Sequence, residues 1–204
     1  MQKGIKTELM QSVLEHFGLI VPITQEVLAD IAASLNVETF RKGEIIVSPE
    51  CENPKWYFIE KGLVRSYYHR GKTQITNLFL SEGSCVNIFE KYYLNQHSGI
   101  YLEAIEPTVL YSLERKDAHR LRMQYPSFAE LHRRVLNKYM VIVQEHLDLL
   151  KFETAEARYE RLLQRIPKIL LRIPSIYVAS YLGLTPETLS RVRSRLVRQS
   201  SESE

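Results

Sequence analysis

Hydrophobic positions change their period twice along the 204-residue chain, and the changes mark where one kind of structure gives way to another. From Ile5 to Leu35 they recur at helical spacing: Leu9, Val13, Leu14 and Phe17 first, then Val27, Leu28, Ile31 and Leu35 after a Pro22-Ile23-Thr24 start signal. From Val37 to Leu113 the chain breaks into short runs rich in β-branched and aromatic residues. Residues 44–47, 56–59, 63–68, 74–80, 101–105 and 108–113 read as strands, with bends at Lys42-Gly43, Lys61-Gly62, Arg70-Gly71 and Glu82-Gly83. Strands at such spacing predict an antiparallel roll or barrel.

After Pro126 the helical period returns. Leu136, Met140, Val143, Leu147 and Leu150 step alternately by four and three, an a/d seam suited to a twin helix. Val135, Tyr139, Ile142 and Leu149 form a second stripe on a neighbouring face, suited to docking on the roll. Both stripes could instead pack inside one subunit; the length of the seam and the charged opposite face favour a homodimer. Glu153-Thr154-Ala155-Glu156 reads as a hinge, and Tyr159, Leu162, Leu163 and Ile166 as a short amphipathic helix that Pro167 disrupts. The polar Ser200–Glu204 end is expected to fray.

Between Arg172 and Arg198 two short helices surround Gly183. Pro174-Ser175 opens the first, Gly183 supplies the left-handed residue that stops it, and Thr185-Pro186 gives the second an N-cap and an N1 proline. This is the grammar of a helix-turn-helix. At about 100° per residue, Leu189, Val192 and Leu196 share the inner face of the second helix, toward Val178, Ala179 and Leu182 of the first. Glu187, Arg191, Ser194 and Arg198 fall outside, flanked by Ser190 and Arg195. An arginine there can reach guanine O6 and N7, a glutamate can accept from cytosine N4, and hydroxyls can hold phosphates.

Charge sharpens that reading. The net charge of +3 is uneven: residues 155–204 carry nine Lys/Arg against five Asp/Glu, whereas the first 154 carry eighteen against nineteen. The basic surplus sits with the helix-turn-helix, as phosphate binding requires. Other chemistry is sparse. With only Cys51 and Cys85, no Cys-x-x-Cys and no close pairing among six histidines, neither a metal site, an iron-sulfur cluster nor another cofactor is expected. There is no Gly-rich phosphate loop or nucleophile motif, so an enzyme is not expected. No run of about eighteen apolar residues and no signal pattern occurs, which makes the cytoplasm the expected location and a membrane association unexpected.

The order of parts resembles the cyclic-AMP receptor protein and fumarate-nitrate regulator (Crp/Fnr) family of bacterial transcription regulators, over nearly the full chain. Phe40-Arg41-Lys42-Gly43-Glu44-Ile45-Ile46 resembles the family's first roll strand and Tyr57-Phe58-Ile59-Glu60-Lys61-Gly62-Leu63-Val64 its second hairpin. The most specific match is Ala179-Ser180-Tyr181-Leu182-Gly183-Leu184-Thr185-Pro186-Glu187-Thr188-Leu189-Ser190-Arg191, which resembles its recognition unit. The resemblance implies an α+β fold: an N-terminal antiparallel β-roll like a cyclic-nucleotide-binding jelly roll, a long dimerisation helix and a C-terminal winged helix-turn-helix. The corresponding domains are 1–122 (roll with N-terminal helices), 123–153 (long helix and hinge) and 154–204 (DNA-binding).

It also implies a homodimeric regulator reading a roughly palindromic site in double-stranded DNA with a recognition helix at 186–198. Glu187, Arg191 and Ser190 would meet bases, while Ser175, Thr185, Thr188, Arg193, Arg195 and Arg198 would hold phosphates. RNA polymerase is a further candidate partner. The alternative is a ligand-binding or protein-interaction module whose helix-turn-helix no longer reads DNA. Two departures matter. Pro186 stands where the receptor protein has a base-reading arginine, so the operator should differ. In the sensory stretch Asn87 and Ile88 replace the Gly-Glu pair that holds the ribose, and Ser98 replaces the arginine that holds the cyclic phosphate. A buried phosphate without a cation is costly, so cyclic AMP is disfavoured. Asn87, Phe89, Glu90, Ser98 and Tyr101 remain candidates for lining a pocket for an unidentified small-molecule effector. Phe79, Tyr92 and Tyr93 could join them or simply fill the core.

Overall fold

The computed structural model describes residue 13 and residues 15–166 and 169–201, with side chains described as far as residue 196. Leu9, Leu14 and Pro167 lie outside the described residues. Helical residues 15–20 (α1) precede α2 (Gln25–Ser34), and the strands follow: β1 (Leu35–Phe40), β2 (Ile45–Val47), β3 (Lys55–Lys61), β4 (Leu63–Arg70), β5 (Thr73–Ser81), β6 (Cys85–Val86), β7 (Ile100–Ala104) and β8 (Thr108–Glu114). A short helix α3 (Phe89–Leu94) interrupts them. Then come α4 (Arg115–Gln124), α5 (Pro126–Phe152), α6 (Ala155–Arg165), α7 (Ile169–Arg172), α8 (Ser175–Tyr181) and α9 (Pro186–Ser201).

All six expected strands form, and two more join them. Leu35, expected to end a helix, instead begins β1, where it lies opposite Leu113 of β8. The strands make two four-stranded sheets, ordered β1-β8-β3-β6 and β2-β7-β4-β5. Strand β3 shows why its sequence is apolar without alternation: it is covered on both sides. Trp56 and Phe58 turn to the helices, joining a buried cluster with Phe17, Ile31, Leu121, Phe128 and Leu131. Tyr57 and Ile59 turn the other way, into a cluster with Val47, Val64, Leu80, Val86, Ile88, Leu102 and Leu110. That second cluster draws on both sheets and packs them together. Phe79 and Tyr92 are core residues as well, each about 1% exposed.

Gly62 makes the β3–β4 turn possible. Its φ is +107°, and a Cβ there would lie 2.5 Å from Thr108 Oγ1 and 2.8 Å from Thr108 Cα. Arg65 of β4 is fully enclosed and faces Glu103 of β7 at 3.5 Å. Burial raises the Glu103 carboxyl above its ordinary value despite the attraction of Arg65.

By compactness the chain divides into one unit of residues 1–66 and 79–139, and another of 67–78 and 140–204. The second comprises the tip of the β4–β5 hairpin, the last part of α5 and helices α6–α9. Among the described residues no strand follows Glu114, so the wing expected beside the helix-turn-helix is not seen there. The α5 seam is open along much of its length: Met140 is 57% and Leu147 43% exposed, and Leu136, Val143 and Leu150 are half-buried. On the other stripe Val135 packs on the core of the roll and Leu149 is buried.

Candidate nucleic-acid interface

The turn between α8 and α9 is fixed by backbone chemistry that the sequence announces. Gly183 adopts φ +67°, its N–H donates to Ser180 O at 3.2 Å, and Leu184 N–H donates to Ala179 O at 2.9 Å. These are the paired bonds of a Schellman stop. Thr185 Oγ1 then accepts from Thr188 N–H at 3.2 Å, capping α9 one residue before Pro186. Inside, Val178, Ala179, Leu182, Leu189 and Val192 are all buried, and Leu196 is half-buried, as their period requires.

Arg158 of α6 holds the assembly from beneath, a role that sequence reading missed. Its guanidinium donates to three carbonyls: Glu153 O at 3.0 Å, Leu150 O at 2.9 Å and Leu182 O at 3.0 Å. It thereby ties the end of α5 to the turn of the helix pair. A second unforeseen tie is Ser180, whose hydroxyl accepts from Thr76 N–H at 2.9 Å and donates to Gln74 O at 3.3 Å, attaching the hairpin tip to α8. The Arg158–Leu182 and Ser180 bonds do not follow from local spacing, because their partners are distant in sequence.

The outer face of α9 presents Glu187, Ser190, Arg191, Ser194 and Arg195, all exposed. Glu187 is held below the ordinary carboxylate range by its own backbone N–H, by Thr185 and by Arg191 one turn on. It is therefore anionic at neutral pH. Arg191 donates to Thr188 Oγ1 at 3.2 Å, a single bond that leaves most of its guanidinium donors in solvent. Glutamate, serine and arginine thus form one ridge with a fixed charge at each end.

The expected phosphate group divides. Thr185 and Thr188 sit together at the start of α9, their hydroxyls 3.2 Å apart. Arg193, in contrast, turns inward: it donates to Ser175 Oγ at 3.0 Å and lies 5.8 Å from the centre of the Tyr159 ring. Arg193 and Ser175 hold each other and pack α9 on its neighbours. Arg195 is ion-paired with Glu156 of α6, and the side chain of Arg198 lies outside those described.

Of the five candidate effector residues, Asn87 and Phe89 meet at Tyr93. Asn87 donates to Tyr93 OH at 3.3 Å, and that hydroxyl lies 3.0 Å from His132 Nε2 on α5. Phe89 packs on Tyr93 with ring centres 4.9 Å apart. Ser98, buried, spends its hydroxyl on Ile100 N–H at 3.3 Å. Glu90 and Tyr101 are half-buried. The cavity of about 270 Å³ beside α3 is lined instead by Cys51, Glu52, Lys91 and His97 among others. Lys91 is buried there, donating to Pro49 O and to Cys51 O. Among the described residues no group of three or more His, Cys, Asp or Glu could hold a metal, and no helix is long and apolar enough to cross a membrane.

Comparison with known proteins agrees with this architecture. Residues 37–125 match the family model of the cyclic nucleotide-binding domain. FixK2 from Bradyrhizobium japonicum superimposes with a TM-score of 0.71 at 22% identity, over 81% of this chain and 86% of that one. A protein assigned to the Crp/Fnr family from Eubacterium rectale gives 0.66 at 16% identity, over 86% and 85%. The chain has the Crp/Fnr fold. Another Crp/Fnr-like structure is CLP of Xanthomonas campestris, described as a c-di-GMP-responsive global regulator, at TM-score 0.69 and 13% identity over 87% and 93%. A comparison with curated protein sequences gives no match.

Proposed function

We propose that the protein is a homodimeric transcription regulator that reads a roughly palindromic DNA site with α9. The observation that carries this reading is the exposed ridge of Glu187, Ser190 and Arg191 on a helix whose opposite face, Leu189 and Val192, is buried. A major groove admits one helix and rewards an arginine on guanine. In this role Arg191 reads guanine, and Glu187 accepts from a cytosine or steers Arg191. Thr185 and Thr188 hold phosphates at the helix start, where the backbone N–H groups also favour anions. Arg195 would join them on leaving Glu156, whereas Arg193 and Ser175 serve packing. Pairing of two α5 seams through Met140, Val143, Leu147 and Leu150 would set two half-sites about 34 Å apart.

The roll is not expected to hold cyclic AMP. Ser98 stands where the resemblance would place a phosphate-binding arginine, and its hydroxyl accepts from Ile100 N–H. Binding of the full-length protein to genomic DNA fragments at rising salt tests the reading. Affinity should fall steeply as salt rises, by the release of counterions from several phosphates. Absence of binding at low salt would instead favour a ligand-binding or interaction module with a silent helix-turn-helix.

A further inference from the structure

The last part of α5 and helices α6 and α8 line an open cavity of about 350 Å³ that the DNA-reading role leaves unused. Two guanidinium groups line it, Arg161 and Arg165, against a single carboxylate, Glu145. Leu149 and Leu162 contribute apolar wall, and the rings of His146 and Tyr181 stack beside them at 4.2 Å and 15°. His146 is only 8% exposed, yet its Nδ1 makes no hydrogen bond. A buried polar nitrogen without a partner is costly to maintain and points to a group that completes it. Arg165 donates to Tyr181 OH at 3.1 Å and keeps its other donors available. Arg161, bonded to Glu153 at 2.9 Å, remains 58% exposed.

We propose that this cavity binds a small organic acid, its carboxylate held by Arg165 and Arg161 and its apolar body laid against Leu149, Leu162 and the His146–Tyr181 stack. The volume lies at the lower end of the range for small-molecule sites, which suits a single-ring or branched acid. Arg165 and Arg161 both face the cavity, and planar guanidinium groups match a carboxylate in two-point contact. The apolar wall favours an organic body over a bare inorganic ion. Burial and Arg165 hold the His146 imidazole down at about 4, so at neutral pH it is an uncharged partner able to bond a ligand oxygen. Tyr181 closes α8, so an occupant touches the first helix of the DNA-reading pair.

Benzoate is the probe, titrated into the full-length protein without DNA, so that the result is independent of the DNA-reading assignment. Calorimetry should show saturable binding, and the histidine ring resonance that His146→Gln removes should shift with benzoate. Arg165→Gln should weaken binding about tenfold or more, and Arg161→Gln less, with the circular dichroism of both unchanged. Benzylamine, with the opposite charge, should not bind. The assignment is overturned if benzoate fails to saturate up to about 10 mM, where even a weak fragment registers. It is equally overturned if the His146 resonance stays still, if Arg165→Gln and Arg161→Gln both bind normally, or if inorganic phosphate binds as tightly as benzoate. Should Arg165→Gln lose its fold, Arg161→Gln and the His146 resonance decide.

Discussion

The segment around α3 and the outer face of α9 carry similar polar side chains, but one is closed upon itself and the other is open. Around α3, Asn87 is bonded to Tyr93, Ser98 to Ile100, and Lys91 to two carbonyls of the loop before β3. On α9, Glu187, Ser190 and Arg191 face solvent with at most local bonds. The difference is instructive because composition alone does not reveal it. A polar group whose partner is supplied by its own chain reports on stability, whereas a ridge of polar groups left open on a well-packed helix keeps its donors and acceptors accessible.

The strongest way to break the roll that carries the closed region is at the turn between β3 and β4. Gly62→Ala would drive a Cβ into the Thr108 backbone at a positive φ, and should destabilise the roll by about 3 kcal/mol or more. Denaturant unfolding followed by Trp56 fluorescence measures this, since Trp56 lies in the core on β3. In the open region Arg191→Ala should leave unfolding unchanged and cost about 1–3 kcal/mol of specific DNA binding, read by anisotropy at fixed salt. Arg193→Ala is the sharper partner experiment. Removing its bond to Ser175 and its contact with Tyr159 should lower thermal stability by about 1 kcal/mol, and change base preference little. An Arg193 variant that loses specificity while keeping its stability would reverse the division between packing and reading.

Protons give a subtler contrast. His132 of α5, bonded to Tyr93 and packed against the Trp56 ring, is pushed down to about 4, chiefly by burial. Its unfolded value is near 6.5, so the unfolded chain takes up a proton first as pH falls. The stability contributed by keeping it neutral is complete above about pH 6.5 and is lost on acidification toward pH 4. His132→Gln should therefore flatten the fall of the melting temperature between pH 7 and 5, relative to the unaltered chain. Smallest of all, Ser98→Ala should cost about 1 kcal/mol of stability or less in chemical unfolding, and leave DNA binding untouched.

Much of this was legible in order of residues, and the failures have physical causes. Helix α9 was readable because its period, its cap at Thr185 and its stop at Gly183 are all local. Strand β1 was hidden because Leu35 continues the apolar spacing of α2 without any turn residue, and only pairing with β8 makes it a strand. Strand β6 is two residues long, too short to show a period. The site divided in the same way. The exposed placement of Glu187, Ser190 and Arg191 follows from helical phase, but the inward course of Arg193 depends on Ser175 and Tyr159, which two other helices bring to it. Arg65 and Lys91 are hidden for the same reason, with a carboxylate and carbonyls far away in the chain as partners, and so is the bond of Arg158 to Leu182 O.

The central claim is that α9 reads base edges as one of a pair. Selection of bound sequences from a random double-stranded pool tests it most directly, with the unaltered protein and Arg191→Ala side by side. The account predicts an enriched inverted repeat, its half-sites centred about one helical turn apart, with a guanine position in each half that Arg191→Ala no longer selects. Enrichment of no motif, or of the same motif at the same strength by both proteins, would contradict it.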